Sequence, residues 1–226
     1  MKIKPIKHKL SIGNPLQQIK EGFDYAFNFP PIRAILFLSA LISFFGMQYT
    51  VLVPVFAEEI LKGGAETLGF IMAASGVGAL FGGIYLATRH TIVGLGKLIS
   101  LAPIVLGSGL IAFSFSRYLP LSLLTMLFIG LGTIIQIASS NTVLQTIVED
   151  DKRGRIMSLY TMSFLGMIPF GNLLGGALAD YIGAPYTLVI DGVICLCGSI
   201  YFARQLPKLR QVVRPIYEKK GILVAR

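Results

Sequence analysis

Acidic residues, histidine and cysteine are all scarce in this chain, and each scarcity removes a class of activity. Eleven Asp and Glu stand against twenty Lys and Arg, leaving a net charge of +9, and charged residues make up only 14% of the whole. The two histidines, His8 and His90, lie outside the apolar stretches and have no neighbouring ligand cluster in sequence. The two cysteines, Cys195 and Cys197, sit two positions apart inside the last apolar stretch. On a helix that spacing points them in nearly opposite directions, so they cannot share one metal ion without unwinding, and packing is the better account of both. No G-x-S-x-G, H-E-x-x-H or Walker sequence occurs. The chain reads as a protein that is not an enzyme, with no catalytic residues, no metal and no cofactor.

What is abundant is apolar sequence. Hydrophobic residues make up 54% of the chain and the mean hydropathy is +0.73. They gather into six stretches, residues 32–57, 67–88, 98–115, 119–148, 156–179 and 185–203. Each is near or above the ~20 residues a helix needs to cross ~30 Å of hydrocarbon. In lipid a helix satisfies its own backbone polar groups and an open strand does not, so the expectation is all-α: a polytopic membrane protein of six transmembrane helices. The basic excess follows the loops. Lys2, Lys4, Lys7, Lys9, Lys20 and Arg33 lie ahead of the first span or at its very start; Arg89 and Lys97 follow the second; Lys152, Arg153 and Arg155 follow the fourth. Arg204, Lys208, Arg210, Arg214, Lys219, Lys220 and Arg226 follow the sixth, and only Lys62 and Arg117 fall in the opposite loops. Eighteen of twenty basic residues on one side is the positive-inside bias, which predicts both termini in the cytoplasm and makes the lipid bilayer, not nucleic acid, the partner of this charge.

Three parts follow. Residues 1–31 form a cytoplasmic basic lead, too polar after its start and too far from the first apolar run to be a signal peptide. Within it Asn14-Pro15-Leu16-Gln17 reads as an N-cap, an N1 proline and a capping-box glutamine. Leu16, Ile19, Phe23 and Phe27 then recur at helical spacing, predicting a short amphipathic helix on the cytoplasmic surface that ends at Pro30-Pro31. Residues 32–203 form the six-helix domain, and residues 204–226 a basic cytoplasmic tail.

Polar residues inside the spans carry the functional information, because in lipid they must face protein or water. In the first span Ser39, Ser43 and Thr50 share a face, with Gln48, Tyr49 and Pro54 marking a polar, kinked outer half. In the fourth, Thr133, Gln136, Ser140, Asn141 and Gln145 fall within about half the helix circumference. Interhelical hydrogen bonding accounts for one such residue, but three long amides on one helix favour a hydrated substrate path. Ser43, Gln48, Gln136, Ser140, Asn141 and Gln145 are therefore the substrate-path candidates. Gly78 and Gly82 in the second span and Gly171 and Gly175 in the fifth lie in rows of small residues that let helix backbones approach, and Pro169 is expected to kink the fifth. Asp191 is the one carboxylate within a span, about two turns from the start of the last helix. It is either a proton relay or, more in keeping with a helix N-terminus, a structural anion.

The run Asp150-Asp151-Lys152-Arg153-Gly154-Arg155-Ile156-Met157-Ser158-Leu159-Tyr160, continued by Pro169-Phe170-Gly171-Asn172-Leu173-Leu174-Gly175-Gly176-Ala177-Leu178-Ala179-Asp180, resembles the loop and glycine-rich helix between and within helices ten and eleven of major facilitator superfamily transporters. The resemblance is to the secretion-effector or enterobactin-exporter-like branch. Glu21-Gly22-Phe23-Asp24-Tyr25, Pro30-Pro31-Ile32-Arg33 and Val53-Pro54-Val55-Phe56-Ala57 are similar to the entry to its helix seven. Members have two six-helix domains with substrate between them, and residues 14–215 match only the carboxy-terminal one.

Several expectations come with the resemblance. The domain would be the carboxy-terminal half of a secondary-active, efflux-type small-molecule transporter in the bacterial cytoplasmic (inner) membrane, working by alternating access. The first and fourth spans would line its cavity, and the second and fifth would pack against a missing amino-terminal six-helix half or a second copy. Arg153 and Arg155 would be either cytoplasmic gate residues pairing with acids of that half or ordinary positive-inside anchors, the plainer reading. The family's G-x-x-x-D-[R/K]-x-G-[R/K]-[R/K] loop falls where this chain reads Gly83-Ile84-Tyr85-Leu86-Ala87-Thr88-Arg89, without the acid. A start at Met1 within what resembles a linker also fits a split gene, a frameshift or an internal start. The alternative is a non-transporting remnant or an accessory subunit that binds another membrane protein.

Overall fold

A computed structural model describes residues 15–89 and 91–222. His8, Asn14 and His90 lie outside them, as do the side chains of Leu16 and Ile19. Among the described residues every regular element is a helix.

The leading helix α1 (Pro15–Asn28) breaks at Phe29, whose extended backbone (φ −107°, ψ 101°) lets Pro30 and Pro31 open the next helix. Prolines suit that place because the first turn has no use for their missing N–H. Six apolar helices follow: span 1 (Pro30–Ile60), span 2 (Ala65–Ala87), span 3 (Leu95–Ser114), span 4 (Leu119–Ile147), span 5 (Arg153–Ile182) and span 6 (Ala184–Lys219). Spans 5 and 6 are joined by the single residue Gly183 at φ 87°, a conformation that a Cβ would strain. Span 6 runs sixteen residues past the apolar stretch into the basic segment after residue 203, through Pro207 and Pro215. At 1.5 Å per residue its 36 residues measure about 54 Å, well beyond the thickness of hydrocarbon. Leu209 and Val213 supply the reason, for both are buried against the bundle.

Helices in lipid gain little from the hydrophobic effect between themselves, so close backbone approach and dispersion hold them together. Glycines mark each crossing. A Cβ on Gly78 of span 2 would collide with the Leu127 carbonyl of span 4, and one on Gly130 of span 4 would collide with the Ser75 carbonyl of span 2. Spans 3 and 4 close at Gly132, where a Cβ would lie 2.8 Å from the Ala102 carbonyl oxygen. Spans 3 and 6 cross at Gly107 and Gly192, each of whose Cβ atoms would lie 2.6 Å from the other's carbonyl oxygen. Spans 1 and 5 meet where Gly171 faces the Phe44 carbonyl and Gly175 faces the Gln48 side chain. Exchanging spans 1, 2, 3 with 4, 5, 6 turns the 2–4 contact into 5–1, 3–4 into 6–1 and 3–6 into itself, and all of these contacts are present. This is the pattern of a repeated three-helix unit.

The glycines singled out in the sequence therefore face inward, onto spans 4 and 1 of the same bundle. The outer surfaces of spans 2 and 5 are instead large and apolar, with Leu80, Phe81, Ile84, Phe170 and Leu173 exposed. Only 22% of the most apolar window of span 2 and 17% of that of span 5 is buried, against 39% or more in every other span.

Candidate functional site

Spans 1 and 5 are both interrupted, and the interruptions touch. Span 1 widens into a π-helical turn at Ile42–Gly46, turns at Met47 and Gln48, resumes at Tyr49–Val55, and widens again at Phe56–Ile60. π-turns leave main-chain carbonyls without their ordinary partner and recur at functional sites. Gln48 Nε2 donates at 3.0 Å to Phe44 O, within the first of these turns. Span 5 is broken between Leu165 and Ile168, directly ahead of Pro169. Proline cannot donate to the carbonyl four residues back, which is that of Leu165, and this explains the position of the break. The Ser43 hydroxyl of span 1 donates across to the Phe164 carbonyl of span 5, at the edge of both discontinuities.

Span 4 runs alongside. The Tyr160 hydroxyl of span 5 donates to the Ile137 carbonyl of span 4 at 2.9 Å, with the Ser39 side chain of span 1 beside it. Gln136 and Ser140 face into the bundle: both are buried, and Gln136 Nε2 donates to Ser140 Oγ at 3.2 Å. Asn141 is half-buried and Gln145 exposed, their amides hydrogen-bonded to each other one turn apart. The six path candidates thus fall into three groups. Ser43 and Gln48 lie at the contact of spans 1 and 5, Gln136 and Ser140 inside the bundle, and Asn141 and Gln145 on its surface. Ser39 Oγ, Gln48 Oε1 and Gln136 Oε1 are buried with no protein partner among the described residues.

Asp191 is fully buried at the eighth position of span 6, and neither carboxylate oxygen has a protein partner among the described residues. That is two turns in, where the field of a helix N-terminus, confined to the first turn, has faded. Arg153 and Arg155 stand at the start of span 5, and both are engaged within this chain. Arg153 pairs with Asp150, while Arg155 Nη1 reaches Glu21 Oε2 of α1 at 2.7 Å. Beside them Lys152 pairs with Glu149 at 2.7 Å and lies 4.4 Å from the centre of the Tyr25 ring. The hydrogen bond to Lys152 holds the Glu149 carboxyl below its ordinary range, and the same bond raises the Lys152 ammonium.

These contacts hold α1 against the bundle. Gly22 and Ala26 press against the bundle, Gly22 over Arg155 and Leu159, while Phe23 and Phe27 are exposed and stack on each other at 5.8 Å. Sequence reasoning missed Tyr160 and the Glu21–Arg155 pair. A tyrosine inside a span signals a hydroxyl needing a partner, so Tyr160 could have been found. Nothing local links residues 21 and 155.

The chain matches the family described as transmembrane secretion effector over residues 2–217. It is 28% identical over 180 residues to the staphyloferrin A transporter of Staphylococcus aureus (strain NCTC 8325 / PS 47), covering 79% of this chain and 45% of that protein. It is 27% identical over 207 residues to the uncharacterized MFS-type transporter YfmI of Bacillus subtilis (strain 168), covering 90% and 51%. It is 29% identical over 202 residues to the multidrug efflux pump Tap of Mycolicibacterium fortuitum, covering 87% and 48%. The chain spans about half the length of the curated relatives it matches.

Proposed function

This chain belongs to the transmembrane secretion effector family of major facilitator transporters, and from that premise we propose that it forms the carboxy-terminal half of an efflux-type secondary transporter. The substrate is a small molecule, and the half works against an amino-terminal six-helix half by alternating access. The contact of the two interrupted helices carries this reading. Transporter sites are typically built from discontinuous helices near the middle of the membrane, where freed backbone groups and a few side chains meet the substrate. Here Ser43 and Gln48 stand at that contact. Asn141 and Gln145 offer amides on the surface of the neighbouring span, and Gln136 and Ser140 lie deeper in the same helix.

The apolar faces of spans 2 and 5 form the surface on which the other half rocks. Both termini are cytoplasmic, placing Arg153 and Arg155 at the inner gate. Their present partners, Asp150 and Glu21, are exchanged for acids of the other half when that gate closes.

Co-expressing the chain with the amino-terminal six-helix half of a family member tests the reading. Abundance should rise, and reconstituted vesicles should gain saturable efflux that neither half supports alone. Unchanged abundance and no efflux would favour an accessory subunit. Saturable transport by the chain alone, shown to be monomeric, would overturn the proposal.

A further inference from the structure

One cavity among the described residues lies away from spans 2 and 5. A groove of about 710 Å³ runs beneath the extension of span 6, at the ends of spans 1, 3 and 4. Its walls are apolar, with Pro31 and Ile35 from span 1, Ile99 from span 3 and Phe202, Leu206 and Val213 from span 6 among them. Its charged lining residues are all basic: Lys97, Arg210 and Arg214. Arg214 shares its charge with Glu218 at 2.9 Å, whereas Lys97 and Arg210 have no ion-pair partner among the described residues. The extension is tied down at its far end, Lys220 Nζ donating to the Thr146 carbonyl of span 4 at 2.8 Å. The result is a fixed slot with a hydrocarbon-compatible floor and a cationic mouth.

We infer that this groove binds one anionic phospholipid, its phosphate between Lys97 and Arg210 and an acyl chain along the span 1–span 6 wall. Charge complementarity and depth select the occupant. Basic pockets between spans on the cytoplasmic side suit anionic head groups, whereas a basic peptide would be repelled and a zwitterionic lipid would bring a cation of its own beside Lys97 and Arg210. A neutral apolar segment would likewise bury the two cations against hydrocarbon. The inference goes beyond the transport reading and rests on it only for the leaflet that supplies the lipid.

Native mass spectrometry of the purified 226-residue chain in detergent tests it. The probes are dioleoyl-phosphatidylglycerol, dioleoyl-phosphatidylcholine with the same acyl chains, and free glycerol phosphate. One phosphatidylglycerol should be retained at least about tenfold more tightly than phosphatidylcholine, and glycerol phosphate should not be retained, since charge and chain are both needed. Neutralising two cations near the surface in the double variant Lys97→Gln/Arg210→Gln should abolish that preference, a loss of about tenfold or more. Lys97→Arg/Arg210→Lys should keep it. Arg204→Gln/Lys208→Gln, which alters the same helix outside the groove, should leave it unchanged. Equal retention of the two lipids by the native chain, retention of free glycerol phosphate, or equal loss in the Arg204/Lys208 control would each overturn the inference.

Discussion

A single methyl group at Gly78 should separate spans 2 and 4, and the structure sets the scale of the damage. The added Cβ would sit 2.7 Å from the carbonyl carbon of Leu127 and 3.0 Å from its Cα, besides overlapping the carbonyl oxygen. Carbon atoms pack comfortably at about 3.5–4.0 Å, so the backbones must part by roughly 0.5–1 Å. No flexible side chain can yield, because every atom in the way is main chain. The reciprocal contact three residues along span 4, Gly130 on the Ser75 carbonyl, opens with it. Overpacking of this kind costs about 1–3 kcal/mol. For a chain of this length that corresponds to a melting temperature lower by roughly 2–12 °C. Gly76 is the matched control: it lies two residues earlier on the same helix, and a Cβ there meets nothing within 4 Å. Gly76→Ala should therefore melt at or slightly above the parent, since alanine is the better helix former. Thermal unfolding of the two variants in detergent, followed by near-ultraviolet circular dichroism, makes the comparison. If Gly78→Ala and Gly76→Ala melt together, the backbone approach of spans 2 and 4 is not as described.

Topology can be read by cysteine labelling once Cys195 and Cys197 are replaced. An impermeant reagent applied to intact cells should label a cysteine at 62 and not at 153, and the reverse would invert the proposed orientation. Single cysteines at 141 and 145 should react with a water-soluble reagent at least about tenfold faster than cysteines at 136 and 140 in the conformation described, and equal rates would remove the amides from the path. Arg155→Gln should free α1, seen as faster amide exchange over residues 21–28, and Glu21→Gln should do the same. The double variant should add nothing further, because the two changes remove one ion pair, partly exposed and worth no more than about 1 kcal/mol; additive effects would mean that each residue acts through a different partner.

The number, order and character of the spans were legible in the sequence. Crossing lipid is a local requirement: each stretch of about 20 apolar residues must be helical whatever its neighbours do. The distribution of basic residues and the break before Pro169 were legible for the same reason, since charge along the loops and a missing backbone donor are both properties of the nearby chain. Tertiary structure alone decided which face of each helix meets which neighbour. Gln136 and Asn141 looked equivalent on one polar arc, yet one is buried and the other reaches the surface, because the arc is wider than the contact that covers it. Gly78 and Gly171 were recognisable as packing residues, but their partners, Leu127 and Phe44, lie on helices far along the chain. Glu21 of α1 pairs with Arg155, 134 residues away, beside the contact that Gly22 makes with Arg155 and Leu159. Contacts of that range depend on how six finished helices cross, and no pattern within a single helix encodes the crossing.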